Sequence, residues 1–532
     1  MSTAEELGAL AARLGYALDP GDVHAMHAAV AGAEPAAAAL RAVPVPDGFT
    51  DPQRAERWLA PPAAGDGTPA GPDPWAARLR AGWSGRAPEA AERLERLHAE
   101  LNCTIRVLHD RARGHRPPDG PPRPLEGVPF AVKDVIDVAG VPTTGASRTR
   151  ADAAPAAVSA TVVARLEAAG AVAVSKDATT EFAVGGPHPP LTGACRNPWD
   201  TARWAGGSST GTAAAVAAGV VPFGLGTDVG GSVRLPAAWC GLTGIKPTAG
   251  TVPRTGVIPL SFTTETVGPL ARDARTAGLV LALLRGPDGS DPRVGATPAL
   301  PATGAPPDLR GLRIALPGGY LTELCDAAVR AGVTHLVDVL TDAGATVVPG
   351  EIPSAAQALP IGYQVVFTEA AALHRRDADR WGDYDPVTVR RISQGITTPA
   401  ADYLRALQFR AVLQAELDAV FATADLVVVP TTPSTAPRLP DCTVVVDGEH
   451  HPLYAAQSRA TMLGNLTGAP GLALPTGFAP DGCPVSALLI ARPHAEHTAL
   501  RVAALFQDRT DHHRRVPPVV DRIGGPAPSP SA

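Results

Sequence analysis

The sequence predicts an α/β fold: a single large α/β/α sandwich, in which helices cover a twisted mixed central sheet, plus a small N-terminal helical appendage. Three observations carry this. Short apolar, β-branched runs alternate with helical patterns through the middle of the chain, as expected of a sheet layered by helices. Hydrophobic residues make up 45% of 532, enough for a large core. Gly and Pro fall mainly between the runs, where they punctuate turns.

In chain order, residues 1–45 carry two helical patterns, Leu7, Leu10, Ala11 and Leu14, then Val23, Met26, Ala29 and Val30, and are expected to form the appendage. Residues 46–87, with the string APPAAGDGTPAGPDP, are expected to be an irregular linker or wrapping segment. The main domain is expected over 88–515. It opens with an amphipathic helix at about 88–112, with Leu94, Leu97, Leu101, Ile105 and Leu108 on one face. Strand-like PFAVK, AVAVSK and VPFGLGT then alternate with helical VVARLEAAG and TAAAVAAG. A Pro/Gly-rich interval at about 285–311 reads as a surface connection, after which LRIALP, a helix around 326–344 and ATVVPG resume the alternation. DLVVVP at 425–430 and GLALPTG at 471–477 extend the sheet, and 516–532 is expected to be a disordered tail.

Composition narrows the function. A net charge of −6 with no block of five like charges provides no patch for nucleic acid or a membrane surface, so the expected partner is a small molecule. The cysteines, Cys103, Cys195, Cys240, Cys325, Cys442 and Cys483, have neither CxxC nor metal-ligand spacing; they read as reduced thiols, and no metal or cofactor is expected. Glu5 and Glu6 stand where a secretory leader carries positive charge, and no run is long enough to span a bilayer, so a cytoplasmic setting is expected. Of 46 basic residues only Lys133, Lys176 and Lys246 are lysines. A buried ammonium can lose its proton whereas a guanidinium cannot, so each is either a remnant of biased composition or a retained chemical group.

Three segments concentrate glycine, hydroxyl and lysine: GVPFAVKDVIDVAGVPTTGAS (127–147), AGGSSTGTAAAVAAG (205–219) and GLGTDVGGSVRLPAAWCGLTGIKPTAG (224–250). Ser232 follows Gly230 and Gly231, so the backbone can turn tightly and approach a ligand with no Cβ in the way. It is a nucleophile candidate, and the amides of Val229, Gly230, Gly231 and Ser232 are a candidate oxyanion hole, although GGS alone is also an ordinary linker string. GGSST at 206–210 places hydroxyls directly before an Ala-rich helix, which a simple N-cap would also explain. Lys133 ends an apolar run and is placed to bring a buried amine to a cleft. As a base near neutral pH its pKa must fall by about two to four units, within the range of buried lysines; pairing with Asp134 or Asp137 is the alternative. Asp228 and Arg234 flank the serine as an ion pair or hydrogen-bond brace. None of these segments contains a histidine, which argues against an α/β-hydrolase triad. Gly185 and Gly186, in the loop GGPHPP, and Thr210 are expected to contact substrate, with His188 lining the site.

Together these segments resemble the amidase signature family, densely over about 125–272 and more weakly from 88 to about 508. The resemblance implies a hydrolase that cleaves the carbon–nitrogen bond of a small amide through a seryl acyl-enzyme. Ser232 would be the nucleophile, Ser208, after a cis peptide bond, the proton relay, Lys133 the base, and Ser209 a supporting residue of the oxyanion hole. Thr210 and Thr212 stand in place of a glycine and a serine, KDATTEFA (176–183) differs from the common KTN form, and Glu265 replaces an aspartate; these departures bear on substrate preference. Two alternatives stay open. One is a biosynthetic acyl transferase or cyclase on the same triad. The other is the glutamine-hydrolysing component of a tRNA amidotransferase, whose ARYDG-like segment is not evident. The appendage is similar to that of stand-alone bacterial amidases, some of which dimerise, so a homodimer is among the expectations.

Overall fold

The computed structural model describes residues 3–13, 20–43, 45, 53–60, 73–439 and 441–524. Its strands are β1 (Thr104–Val107), β2 (Pro129–Lys133), β3 (Val172–Asp177), β4 (Phe223–Asp228), β5 (Thr243–Lys246), β6 (Thr266–Ala271), β7 (Arg313–Ala315), β8 (Thr346–Val348), β9 (Leu426–Pro430), β10 (Val444–Val446), β11 (Glu449–His451), β12 (Gly471–Phe478) and β13 (Pro484–Ala491). Among the described residues, β10 and β11 form a separate hairpin, and the other eleven strands form one mixed sheet in the order β1-β3-β2-β4-β6-β5-β12-β13-β9-β7-β8.

Strand alternation sends successive side chains to opposite faces, and each face has its own core. Phe130 and Val132 of β2, Phe223 and Leu225 of β4, and Leu472 and Leu474 of β12 join one apolar cluster with helices Thr161–Ala168, Ala274–Leu284, Ala327–Asp342 and Glu496–Arg509. The intervening Ala131 and Ala473 face the other cluster, with helices Ala87–Leu101, Thr210–Ala217 and Arg234–Cys240. Small residues let the Ala-rich helix come close. A Cβ on Gly211 would stand 1.8 Å from the Cys103 carbonyl oxygen, so only glycine fits there. Toward the β9 end, helices Ala355–His374, Ala400–Phe421 and Thr461–Thr467 build a further apolar cluster on Val427, Val429, Leu488 and Ile490. No helix among the described residues is long and apolar enough to cross a membrane.

Three expectations are corrected. The helix expected over about 88–112 stops at Leu101: Asn102 adopts φ 56° and caps it, and Ile105 lies in β1 while Leu108 precedes a short helix, His109–Gly114. Residues within 46–87 are not all irregular. Helices Gln53–Trp58 and Pro74–Trp83 form, with Ala55, Leu79 and Trp83 buried, because apolar residues between the prolines find grooves to fill. The tail is ordered through 524, since Val519, Val520 and Ile523 are buried beside helix Ala87–Leu101, each contributing about 1.5–3 kcal/mol. Leu14, residues 46–52 and 61–72, and the tail residues 525–532 lie outside the described residues. Helices Ala4–Arg13 and Pro20–Ala42 occupy the expected appendage and bury Leu7, Ala11 and Met26.

Candidate active site

Two parallel neighbours, β2 and β4, end side by side, with Val132 opposite Leu225. This register sets Lys133, the last residue of β2, level with Gly226, one residue before Thr227 near the end of β4. Thr227 and Asp228 then take different partners. Thr227 faces the lysine, whose Nζ donates to Thr227 Oγ1 at 2.8 Å and to Ser208 Oγ at 2.7 Å. Asp228 faces the turn that follows. The Gly207–Ser208 peptide is cis, and the Ser209 amide donates to the Ser232 carbonyl at 3.2 Å, fastening the two hydroxyl-bearing segments together.

Lys133 is fully buried, and burial draws its pKa from 10.5 down to about 7; the carboxylates of Glu265 and Asp228 oppose the fall but do not cancel it. The acidic residue beside it in sequence does not neutralise it: Asp134 pairs instead with Lys176, Oδ1 to Nζ 3.2 Å. A buried amine that is half deprotonated near neutral pH, hydrogen-bonded to a serine hydroxyl, can accept a proton through that hydroxyl.

Asp228 organises the turn. Its carboxylate accepts from the Gly231, Val233 and Arg234 amides at 2.8, 3.1 and 3.4 Å, and from Arg234 Nε and Nη2 at 3.0 and 2.8 Å. Asn465 Nδ2 adds a further bond at 2.8 Å. Burial alone would raise this carboxyl, but the Arg234 guanidinium and Asn465 hold it well below the usual carboxylate range. Gly231 sits at φ 124°, and a Cβ there would meet Thr461 Oγ1 at 2.5 Å and Leu235 Cγ at 2.8 Å. The Gly231 amide is therefore taken up by Asp228, which sets it apart from the other amides of the expected set. The amides of Val229, Gly230 and Ser232 have no such partner among the described residues.

Ser208, Val229, Gly230 and Ser232 line one cavity with Gly185, Trp204, Tyr363, Phe367, Arg391, Tyr454 and Met462. The remaining expected contacts fall elsewhere. Thr210 is buried and its hydroxyl donates to the Ala178 carbonyl at 2.8 Å. The Gly186 amide donates to Asp385 Oδ2 at 3.3 Å, outside the cavity lining. His188 lines a separate surface cleft with His98, Asn102 and Arg196. Two of the departures from the family wording meet each other: Thr212 Oγ1 donates to Asp177 Oδ2 at 3.0 Å, a buried pair that seats the Ala-rich helix rather than shaping the cavity. Lys246 donates to the Pro247 carbonyl at 2.8 Å and does not line the cavity. A larger cavity of about 660 Å³ lies at the opposite end of β4, near Pro222 and Trp75, and contains none of the expected site residues.

Thr227, Asn465, Tyr454 and Arg391 were not singled out by the sequence. Arg391 is the charged side chain of the cavity wall. Its guanidinium lies 3.3 Å from the Tyr454 ring centroid and donates to the Gly185 carbonyl at 3.2 Å, and no carboxylate among the described residues pairs with it. One signal was available: Thr388, Arg391, Ile392 and Gly395 share the buried face of helix Pro386–Thr397, so a cation sits on an apolar stripe.

The model of the family described as Amidase matches residues 88–500, and this chain belongs to that family, the amidase signature enzymes. The A-type subunit of glutamyl-tRNA(Gln) amidotransferase from Chloroflexus aggregans is 40% identical over 427 residues, covering 74% of this chain and 85% of that protein. The AtzE subunit of 1-carboxybiuret hydrolase from Pseudomonas sp. (strain ADP) is 37% identical over 424 residues, covering 78% and 89%. A solved structure, described as an unexpected vestigial protein complex that reveals the evolutionary origins of an s-triazine catabolic enzyme, superposes with TM-score 0.75 at 33% identity, covering 81% of this chain and 96% of that one. The chain is thus an amidase-family enzyme, with amide carbon–nitrogen hydrolysis as its chemistry.

Proposed function

We propose that this protein hydrolyses a small amide that carries an anionic group, with Ser232 as nucleophile, Ser208 as relay and Lys133 as base. The observation that carries the reading is the buried Lys133 amine, 2.7 Å from Ser208, at the edge of a cavity that Ser208 and Ser232 both line. Ser232 Oγ attacks the carbonyl carbon while its proton passes to Ser208, and the Ser208 proton passes to Lys133. The oxyanion is held by the free amides of Val229, Gly230 and Ser232. Lys133 returns the proton through Ser208 to the nitrogen, the carbon–nitrogen bond breaks, and amine or ammonia leaves. Water then attacks the acyl-Ser232 ester by the same proton path and releases the acid.

The Arg391 guanidinium, which no carboxylate among the described residues neutralises, supports an anionic substrate, and the apolar walls from Trp204, Phe367 and Met462 support a compact one. A second reading, a glutamine-hydrolysing subunit that delivers ammonia to a partner, draws support from the amidotransferase relatives and from the same guanidinium, which supplies the charge that an ARYDG-like segment would otherwise bring. Six unpaired, buried cysteines support a cytoplasmic setting. The test is labelling with a serine-directed fluorophosphonate and mapping by mass spectrometry, followed by a panel of aliphatic, aryl and carboxylate-bearing amides with glutamine included. Adduct on Ser232 and turnover of the anionic amides are expected. Adduct on another residue of an active preparation would refute the assignment, and glutamine hydrolysis that requires an added partner would select the second reading.

A further inference from the structure

The family match begins at residue 88, yet the chain before it is tied to the cavity wall. Helix Pro20–Ala42 packs on helix Pro386–Thr397, which carries Arg391, and on helices Ala355–His374 and Ala400–Phe421. Ala11, on the preceding helix, is buried in one apolar cluster with Val389 and Ile392 of the Arg391 helix. The same cluster holds Val184, Val229 and Phe367, which line the cavity. The far end of the segment is pinned to helix Ala400–Phe421. Arg41 Nη1 donates to Asp402 Oδ2 at 2.8 Å, Arg405 donates to the Val43 carbonyl, and Gln414 Nε2 donates to the Ala55 carbonyl at 3.1 Å. Helix Pro386–Thr397 is thus held from both sides, by the cavity wall and by the N-terminal helices.

We propose that the N-terminal helices are a positioning element for substrate: by packing on helix Pro386–Thr397 they fix the Arg391 guanidinium against the cavity and so set the affinity for the substrate's anionic group. Neither helix lines the cavity, so the action passes through the Arg391 helix and leaves the proton path untouched. The inference rests on the catalytic reading of Ser232 and on the anionic-substrate reading of Arg391.

The experiment measures how well succinamate, an anionic amide, and succinamide, its neutral counterpart, protect Ser232 of the full chain from a fluorophosphonate. Succinamate is expected to protect better. Met26→Glu, which forces charge into the buried face of helix Pro20–Ala42, is expected to raise the half-protecting succinamate concentration about tenfold. The unprotected labelling rate and the succinamide value should stay within about twofold. In an Arg391→Ala background the same substitution should add less than about twofold. General loosening of the fold would move all three readouts together, and independent effects would multiply in the double variant; either result overturns the proposal, as does an unmoved succinamate value or equal protection by the two amides. If Met26→Glu does not fold, Met26→Ala and Arg41→Ala are read by the same criteria. Failure to label Ser232 in the unaltered chain refutes the catalytic reading and this proposal with it, whereas a labelled Ser232 with unmoved protection refutes this proposal alone.

Discussion

Replacing Lys133 with Arg keeps a cation at the end of β2 and removes its capacity to give up a proton. With the amine at about 7, half of it is neutral at that pH; at the ordinary 10.5 the neutral share would be about one part in 3000. The difference corresponds to about 5 kcal/mol favouring the neutral form, set by burial against the pull of Glu265 and Asp228. A guanidinium, with pKa above ~12, leaves a neutral share below about one part in 10⁵. Proton transfer by a positioned base is typically worth about 10²–10⁴ in rate, and Lys133→Arg should slow acylation of Ser232 by about 10³. The assay is the rate of fluorophosphonate labelling followed by mass spectrometry from about pH 5 to about pH 9. Because the folded pKa is lowered and the deprotonated amine is the working form, the unaltered protein should lose reactivity as pH falls through about 7 and level off above it. Glu265, raised by burial to about 7, titrates in the same window, so the midpoint belongs to the pair. Lys133→Arg should give a slow, flat profile. Labelling within about tenfold of the original, or an unaltered protein whose rate does not change across neutrality, would refute the neutral-amine argument.

Arg234→Ala strands the fully buried Asp228 carboxylate; unfolding in urea should show a loss of about 3–5 kcal/mol, and an unchanged midpoint would contradict the brace. Gly231→Ala places a Cβ 2.5 Å from Thr461 Oγ1 at a φ unfavourable for side chains. Its circular dichroism should stay native while Ser232 labelling falls about a hundredfold, because the displaced turn carries the neighbouring Gly230 and Ser232 amides away from the oxyanion, on the scale of losing one donor. Arg391→Ala should raise KM for carboxylate-bearing amides at least about tenfold and leave neutral amides within about twofold, as read from initial rates; equal effects on both would remove the charge argument. Ile523→Asp buries an unpaired charge beside helix Ala87–Leu101 and should lower the melting temperature by several degrees, whereas a free tail would tolerate it.

The parts of the site legible in the chain are those built within a few residues. The strand, the glycine turn and the flanking Asp228 and Arg234 lie within one short segment, and the chemical types that make a nucleophile turn and its brace are local to it. Lys133 was legible as a candidate because it ends an all-apolar run, while its freedom from Asp134 was decided by Lys176, which takes that carboxylate. The alternation of strands and helices was legible for a related reason: the period of burial repeats along the backbone whatever the elements pack against.

Other features depended on which distant surfaces meet. Pattern alone did not separate helix from strand beyond Leu101, since Ile105 and Leu108 suit either period until β3 offers a partner. Proline-rich composition marked the linker and tail as poor in regular structure, but whether Trp83 or Ile523 is buried depends on grooves formed by residues elsewhere in the chain. Arg391 and Asn465 reach the site from 159 and 233 residues beyond Ser232, and no nearby sequence encodes that approach. The same limit governs hydrogen bonds. Gly231 and Thr210 belong to the right segments, yet Asp228 and the Ala178 carbonyl had already taken their donors. The sequence by itself determined which groups could do chemistry; the tertiary structure decided which remained free to do it, because a donor's availability depends on every acceptor that folding brings within reach.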